Sequence, residues 1–421
     1  MQTEAATVGA RRALLLLFLV AFFNYMDRYV LSVLLPAIKA DLNLSDTLLG
    51  GIGTAFTISY VVLGIPIARL ADRYSRKHVI ALSLGFWSLM TALCGLAQNF
   101  VQLAIARVLV GVGEAGATPP AHSIISDYFP SVQRGKAIAI YSLGAPAGIM
   151  VGFIAASWLV QNFSWRFAFI GLGLPGLLLA LVVYLKLVEP KRGQTERAEI
   201  AKEAGESTTL LQASKTLLSS PAYRHIIFAT GLYTVVWLGV VSWLPSYFIR
   251  SFDMSIVEVG FWLAMSLGIS QAIGMMLSGI LTDRLVKRNL KWFSWIPALA
   301  MVASTPLFII VFLTNSAIVA TVALFPAFLI GVFQGPASFA AVQGIAHVRM
   351  RATATALYLL VTNLIGGTIG PFLTGLLSDV LRPQYGDDSL RYGLLIISLV
   401  FGTWAAVHYA LSARTIASEI R

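Results

Sequence analysis

Charged residues are scarce in this 421-residue chain: Asp, Glu, Lys and Arg make up 12% of it, against about 25% in an ordinary soluble domain. That shortage excludes a soluble multi-domain architecture, whose surfaces need long polar stretches. Cysteine is rarer still. Cys94 stands alone inside an apolar run, so no intrachain disulfide can form and the thiol reads as a small buried side chain. There is no paired His/Cys spacing for a metal, no Gly-x-Ser-x-Gly, and no Gly-x4-Gly-Lys-Ser/Thr phosphate loop. The sequence therefore gives no support for an enzyme, and no cofactor or metal is expected. His225, His347 and His408 lie near the ends of apolar runs and read as groups that titrate in water.

What is present is hydrophobic: 57% of the residues, in runs of 18 or more that recur from Ala13 to Leu411. Turn and charge signals between them place membrane spans at about 13–38, 48–70, 78–97, 101–126, 135–160 and 166–188. A second series follows at about 223–249, 256–281, 292–313, 317–346, 352–380 and 391–412. The expected fold is an all-α membrane protein of twelve helices. Its domains are a six-helix bundle over 1–188, a cytoplasmic linker over 189–221 with room for a short surface helix, and a second six-helix bundle over 222–421. The first run is too long for a signal peptide's apolar core and lacks a small-residue cleavage site after it.

A net charge of +11 would suit nucleic acid if the bases gathered on one face or arm. Instead they fall in short clusters between apolar runs, at Arg11-Arg12, Arg73 to Lys77, Arg134-Gly135-Lys136, Lys191-Arg192, Lys287-Arg288 and Arg349 to Arg351. These clusters occupy every second loop. With a cytoplasmic N-terminus, roughly 23 of the 30 bases lie inside and about five outside, the positive-inside asymmetry. No nucleic-acid partner is expected; the expected setting is a bilayer, a bacterial inner membrane, with both termini cytoplasmic.

The halves echo each other. Ala68 to Arg73, leading to Arg76-Lys77, matches Gly279 to Arg284, leading to Lys287-Arg288, at the same spacing. Arg134-Gly135-Lys136-Ala137 with Tyr141 is echoed by Arg351-Ala352-Thr353-Ala354 with Tyr358. The small-x3-Asp-Arg-x2-Arg-Lys signature on a six-plus-six chain resembles the major facilitator superfamily over the whole length. Ala68 and Ser75 stand where that signature usually has glycine. An Asp at a helix end accepts from the free N–H groups of a neighbouring helix, and nearby arginines bridge to carboxylates. The resemblance implies that Asp72, Arg73, Arg76, Asp283 and Arg284 act in gating; the plainer alternative is that they set topology and solvate the loops.

Four ionisable residues fall deep inside expected spans: Asp27, Arg28, Arg107 and Glu114. Each costs about 2.5–3.5 kcal/mol at a helix centre on insertion scales, so they should pair or line water. Arg107 and Glu114, seven residues apart, face the same way on one helix; Asp27 and Arg28 diverge by about 100° yet can reach one cavity. Around Glu114 the run Gly111 to Pro120 combines small residues for close approach with Pro119-Pro120, which bends the helix. A carboxylate at such a joint is a candidate proton site, because burial and a mobile arginine act in opposite senses on its proton affinity. The structural alternative is a permanent ion pair that only orients helices. Gly144-Ala145-Pro146-Ala147-Gly148 with Gly152 reads as a bent, small-residue packing face.

Asn24-Tyr25-x-Asp27-Arg28, with Arg107-x3-Gly111-x-Gly113-Glu114-Ala115 and Ser126 to Pro130, is similar to the Spinster-like transporters, whose eukaryotic members export sphingosine-1-phosphate or lysophospholipids. By that resemblance Asp27 and Glu114 are the proton-responsive acids, and Arg28 and Arg107 are their partners and anchors for an anionic headgroup. The anion:cation symporter family shares Asn-Tyr-x-Asp-Arg and the fourth-helix Arg and Glu, which keeps small carboxylates and sugar acids open as the alternative substrates. Gly116 to Pro120 departs from the hydroxyl-rich run of eukaryotic Spinster proteins. The second half offers no acid deep inside a span; Asn24, Tyr25, Tyr233, Trp237, Gln334 and Asn363 are the candidates to line a cavity, although Tyr and Trp also mark membrane boundaries. Charge in one half and apolar wall in the other suits a substrate with a charged head and a greasy tail. The expected function is proton-coupled transport by alternating access, carried out by a monomer, with a lipid scramblase or channel as the alternative of another class.

Overall fold

In a bilayer, every backbone N–H and C=O must be satisfied within its own segment, which leaves only helices for a chain of long apolar runs. A computed structural model describes residues 2–194, 210–347 and 350–420, and within them all side chains except those at 2–8, 65, 68, 72, 131, 210, 211 and 352. The side chain of Asp72, the basic residue Arg349 and linker residues 195–209 lie outside the described residues.

The first half comprises α1 (Gln2–Leu42), α2 (Asp46–Arg73), α3 (Arg76–Cys94), α4 (Phe100–Glu114), α5 (Thr118–Tyr128), α6 (Ser131–Ser142), α7 (Gly144–Asn162) and α8 (Trp165–Lys186). The second comprises α9 (Leu210–Ser219), α10 (Pro221–Phe252), α11 (Ile256–Val286), α12 (Trp292–Leu313), α13 (Ala317–Gly331), α14 (Gln334–Ile345), α15 (Arg351–Tyr385), α16 (Ser389–Ser412) and the short α17 (Ile416–Glu419). Among the described residues, eleven helical stretches are long and apolar enough to cross a membrane. The last of these, Thr353–Ser412, contains both α15 and α16. Gly386 separates that pair at φ +56°, a left-handed conformation that side chains disfavour. The twelve expected spans are therefore present. The fourth is broken into α4 and α5, the fifth into α6 and α7, and the tenth into α13 and α14.

By internal contact the chain forms two units, residues 1–44 with 55–205 and residues 45–54 with 206–421. In the first unit α1 packs along α7, and α3 packs on α4 and α8. The stripe Gly144, Gly148 and Gly152 lies four residues apart on one face of α7 and lets it touch the α1 backbone: a Cβ at Gly148 would stand 2.2 Å from the Phe22 carbonyl oxygen. This contact fixes the length of α1 that carries Asn24 to Arg28. The expected packing face is thus present, and α6 and α7 part at Leu143 just before it.

In the second unit α10 packs on α15 and α16, and α12 on α13 and α16. Its core is aromatic as well as aliphatic, with Tyr223, Tyr409 and Tyr358 buried beside Met301, Ile226 and Val342. The surface helix allowed for in the linker is α9, which buries Ala213 and Leu217 and leaves Lys215 and Thr216 exposed. His225 and His408 bond to each other, Nδ1 to Nδ1 at 2.8 Å, so neither ring is simply solvated as expected.

Candidate functional site

The joint in the fourth span sets the site. Pro119 and Pro120 have no N–H to continue the α4 ladder, so the chain turns through Ala115 to Ala117 and restarts with the prolines in the first turn of α5. Glu114 becomes the last residue of α4. The glycines before it serve close approach rather than flexibility. A Cβ at Gly111 would meet Ser59 Oγ at 2.4 Å and the Phe56 carbonyl oxygen at 2.6 Å, and one at Gly113 would meet Trp87 Cβ at 2.7 Å. α2 and α3 therefore press against α4 on either side of its end, and Ser59 Oγ donates across to the Val108 carbonyl at 2.9 Å.

Into this junction α1 delivers its polar residues. Arg28 donates to one oxygen of Glu114, Oε2, from both Nε (3.1 Å) and Nη2 (2.8 Å). The Glu114 side chain is fully buried, whereas 19% of Arg28's remains exposed. Three rings surround that guanidinium, with centroids 4.6 Å (Tyr60), 5.4 Å (Phe56) and 5.5 Å (Tyr25) from its central carbon. Each such contact contributes about 0.5–2 kcal/mol as the cation loses water. Asp27, also fully buried, accepts from Trp87 Nε1 at 3.0 Å through Oδ2. Arg107 is 1% exposed and donates from Nη1 to the backbone carbonyl of Asp27 at 3.3 Å, with Phe56 at 5.1 Å. Among the described residues, no carboxylate lies within ion-pair distance of Arg107; it holds Asp27 by the main chain.

The cluster is left incompletely bonded. Asp27 Oδ1 and Arg107 Nε are buried without a hydrogen-bond partner among the described residues, and the Asn24 side chain stands beside the Glu114 carboxylate. Leaving such an atom unmade costs about 1–3 kcal/mol, which makes the junction a candidate site for exchange of polar partners. The free acceptor oxygen of Asp27 suits a proton, and the partly exposed Arg28 suits an anion. Sequence reasoning missed Trp87, Phe56 and Tyr60, because an aromatic in an apolar helix carries no mark that separates cluster-facing from lipid-facing positions.

The other expected residues are placed as follows. Arg76, 3% exposed, is paired inside the first unit with Asp127 and with Glu189 (3.1 Å), and also donates to Ser123 Oγ at 2.8 Å and the Pro190 carbonyl at 3.0 Å. Glu189 in turn accepts from the Ser75 hydroxyl and the Arg76 backbone N–H. Partial burial pushes the Glu189 carboxyl up, but the Ser75 hydroxyl and both Arg76 contacts outweigh it and hold it below the usual glutamate range. Arg73, Asp283 and Arg284 are exposed at helix ends.

In the second unit, Gln334 accepts from Tyr409 Oη at 3.0 Å, and that hydroxyl also meets Thr230 (2.8 Å) and Ser338 (3.1 Å). Trp237 packs edge-on to Phe328 at 5.1 Å, Tyr233 is buried, and Asn363 bonds back to the Leu359 carbonyl of its own helix at 2.8 Å. These four candidate lining residues belong to the second unit, whereas Asn24 and Tyr25 stand in the charged cluster of the first.

Comparison with known proteins agrees with this architecture. A family model described as Major Facilitator Superfamily matches residues 17–371. The chain is 32% identical over 409 residues to an MFS-type efflux pump of Mycolicibacterium smegmatis, spanning 96% of this chain and 94% of that one. It is 28% identical over 422 residues to a probable L-galactonate transporter of Escherichia coli, spanning 95% and 88%. The crystal structure of a bacterial homologue of the human lysosomal transporter Spinster, inward-facing and unoccupied, superposes with a TM-score of 0.88 at 28% identity over 98% of each chain. With a match across most of its length and a charged cluster in the first helical unit, the chain belongs to the Major Facilitator Superfamily, as a membrane transporter that is Spinster-like in sequence and fold.

Proposed function

We propose that the chain is a proton-coupled secondary active transporter that works by alternating access and carries an amphipathic anionic lipid, such as a lysophospholipid or a sphingoid phosphate. One observation carries this reading: two buried acids share a junction with the partly exposed Arg28 and the buried Arg107, yet among the described residues Arg28–Glu114 is the one ion pair made there, and Asp27 Oδ1 is unpartnered. An acid's hold on its proton depends on whether a cation stands beside it. When a substrate anion draws Arg28 away, Glu114 loses its countercharge and a proton replaces it; when Arg28 returns, the proton leaves. Asp27 is the second proton-responsive acid, and Arg107 sets its position through the main chain. Removal of charge at either acid leaves the helices in place and breaks the exchange.

The lipid preference is supported by the second unit, whose lining candidates Tyr233, Trp237, Gln334 and Asn363 are aromatic or neutral. The similarity to a probable L-galactonate transporter favours a second reading, symport of small carboxylates or sugar acids with protons through the same cluster. The transporter sits in a bacterial inner membrane as a monomer, with the basic loops and both termini cytoplasmic. Reconstituted protein given fluorescent lysophosphatidylglycerol or labelled galactonate under an imposed pH gradient separates these readings. Accumulation of the lysolipid alone supports the first, and accumulation of galactonate alone supports the second. Equal movement with and without the gradient, never reaching accumulation, identifies a scramblase or channel instead.

A further inference from the structure

Two histidines of the second unit meet away from the charged cluster and take no part in the transport reading. His225 stands in the second turn of α10 and His408 one turn before the end of α16, and these helices pack along each other. Both side chains are half-buried. Their Nδ1 atoms face each other at 2.8 Å, with ring centres 5.0 Å apart and ring planes tilted by 41°. Two N–H groups cannot face at that distance, so one Nδ1 holds the hydrogen and the other offers its lone pair.

Aromatic rings wall the pair on the side of the span's middle. Phe228, one turn further along α10, stands edge-on to the His408 ring at 4.8 Å and to Trp404 at 5.5 Å, and Trp404 lies 6.2 Å from His408. The polar linker end is left as the wet side. Of the charges nearby, Arg224 donates from Nη1 to the Leu218 carbonyl at 2.9 Å. The Glu419 carboxylate accepts from the Ser220 hydroxyl and from the Ala222 N–H (3.3 Å), and acts on His225 as a countercharge.

A tetrahedral divalent ion bound through imidazole has metal–nitrogen bonds of about 2.0–2.1 Å, which sets two ligating nitrogens about 3.3 Å apart and their ring centres about 5 Å apart. The two ring centres already have that separation. Turning each imidazole in place opens the Nδ1 gap by about 0.5 Å without moving either helix. The ring that held Nδ1–H moves that proton to its Nε2, so both Nδ1 lone pairs point at the ion, both Nε2–H groups donate to water, and neutral rings lose no net proton. Among the described residues, no group of three or more His, Cys, Asp or Glu side chains is placed to hold a metal, so water fills the remaining positions. Imidazole ligation also sets the class of ion: it suits zinc, copper and nickel, whereas magnesium and calcium require oxygen ligands.

We propose that His225 and His408 form a two-imidazole site for a divalent transition metal, zinc first, which clips α10 to α16 at the linker end of the second unit. The site is independent of the Asp27–Glu114 cluster and of the substrate carried.

The test is metal binding by the full-length, tag-free chain in detergent, stripped with a chelator and titrated by calorimetry with zinc chloride alone. The parent should show a saturable site that His225→Gln and His408→Gln each abolish, while His347→Gln, at an exposed position, leaves it unchanged. Copper(II) in place of zinc gives a second readout: its electron paramagnetic resonance spectrum should carry the splitting of two imidazole nitrogens in the parent, and either substitution should remove that pattern. No saturable binding by the parent, binding that survives in either variant, or a parent copper spectrum without the two nitrogens overturns the proposal. Monodisperse elution verifies folding; if one variant fails to fold, the other decides together with the parent's copper spectrum. None of these measurements uses substrate or a pH gradient, so their outcome is separate from that of the transport reading.

Discussion

Removing Arg28 or Glu114 should show a large coupling between them, and its size can be worked from the geometry. Glu114 is fully buried, and both Arg28 contacts fall on a single oxygen at 2.8 and 3.1 Å. Breaking a buried ion pair by deleting one partner typically costs about 3–5 kcal/mol. Two features reduce that figure: 19% of the arginine side chain reaches the surface, and the rings of Tyr60, Phe56 and Tyr25 stabilise the cation after its partner is gone. A coupling energy of about 2–3 kcal/mol is expected, above the roughly 0.2–1 kcal/mol of exposed pairs. The assay is a double-mutant cycle over Arg28→Gln and Glu114→Gln, each variant unfolded reversibly from detergent micelles. The double variant should be more stable than the sum of the single losses implies. A coupling below about 0.5 kcal/mol would place the pair with solvent-exposed ones and refute the reasoning.

Other consequences follow from single contacts. Trp87→Phe removes the donor to Asp27 Oδ2 while keeping most of the ring volume; a stability loss of about 1–3 kcal/mol is expected from the orphaned oxygen, measured as above. Gly148→Ala forces a methyl towards the Phe22 carbonyl oxygen; a cost of about 1–3 kcal/mol, the range for overpacking, should appear in the same unfolding assay. At the loop network, Glu189 titrates below the ordinary glutamate value of about 4.3. Its contribution to stability is therefore fully present above that value and is lost as pH falls through the lower folded one. Glu189→Gln should remove that acid-side slope in thermal unfolding from pH 6 downwards, and an unchanged slope would show that the carboxyl contributes nothing.

Much of the scaffold was legible because a bilayer permits so few solutions. The run lengths marked the spans, and Pro119-Pro120 marked the break that leaves Glu114 at a helix end. The seven-residue spacing of Arg107 and Glu114 indicated a shared face, and both side chains are buried in one junction. Partner choice was less legible. Arg28 reaches across 86 residues to Glu114, while Arg107 meets a carbonyl that no side-chain pattern encodes. Trp87 and Tyr60 could not be separated from lipid-facing aromatics, because core and bilayer are equally apolar. Nothing in the sequence around Asp46 marks its partners, which lie 204 and 332 residues away; only packing reveals them.

The central claim is that substrate and proton move together through the Asp27–Arg28–Arg107–Glu114 cluster. It is tested most directly in proteoliposomes loaded with a pH dye, by adding lysophosphatidylglycerol or galactonate and following lumenal pH. The account predicts a substrate-dependent pH change for the parent that Asp27→Asn and Glu114→Gln each abolish, with both variants still folded. A pH change of parental size in both variants, or substrate movement without any pH change in the parent, would contradict it.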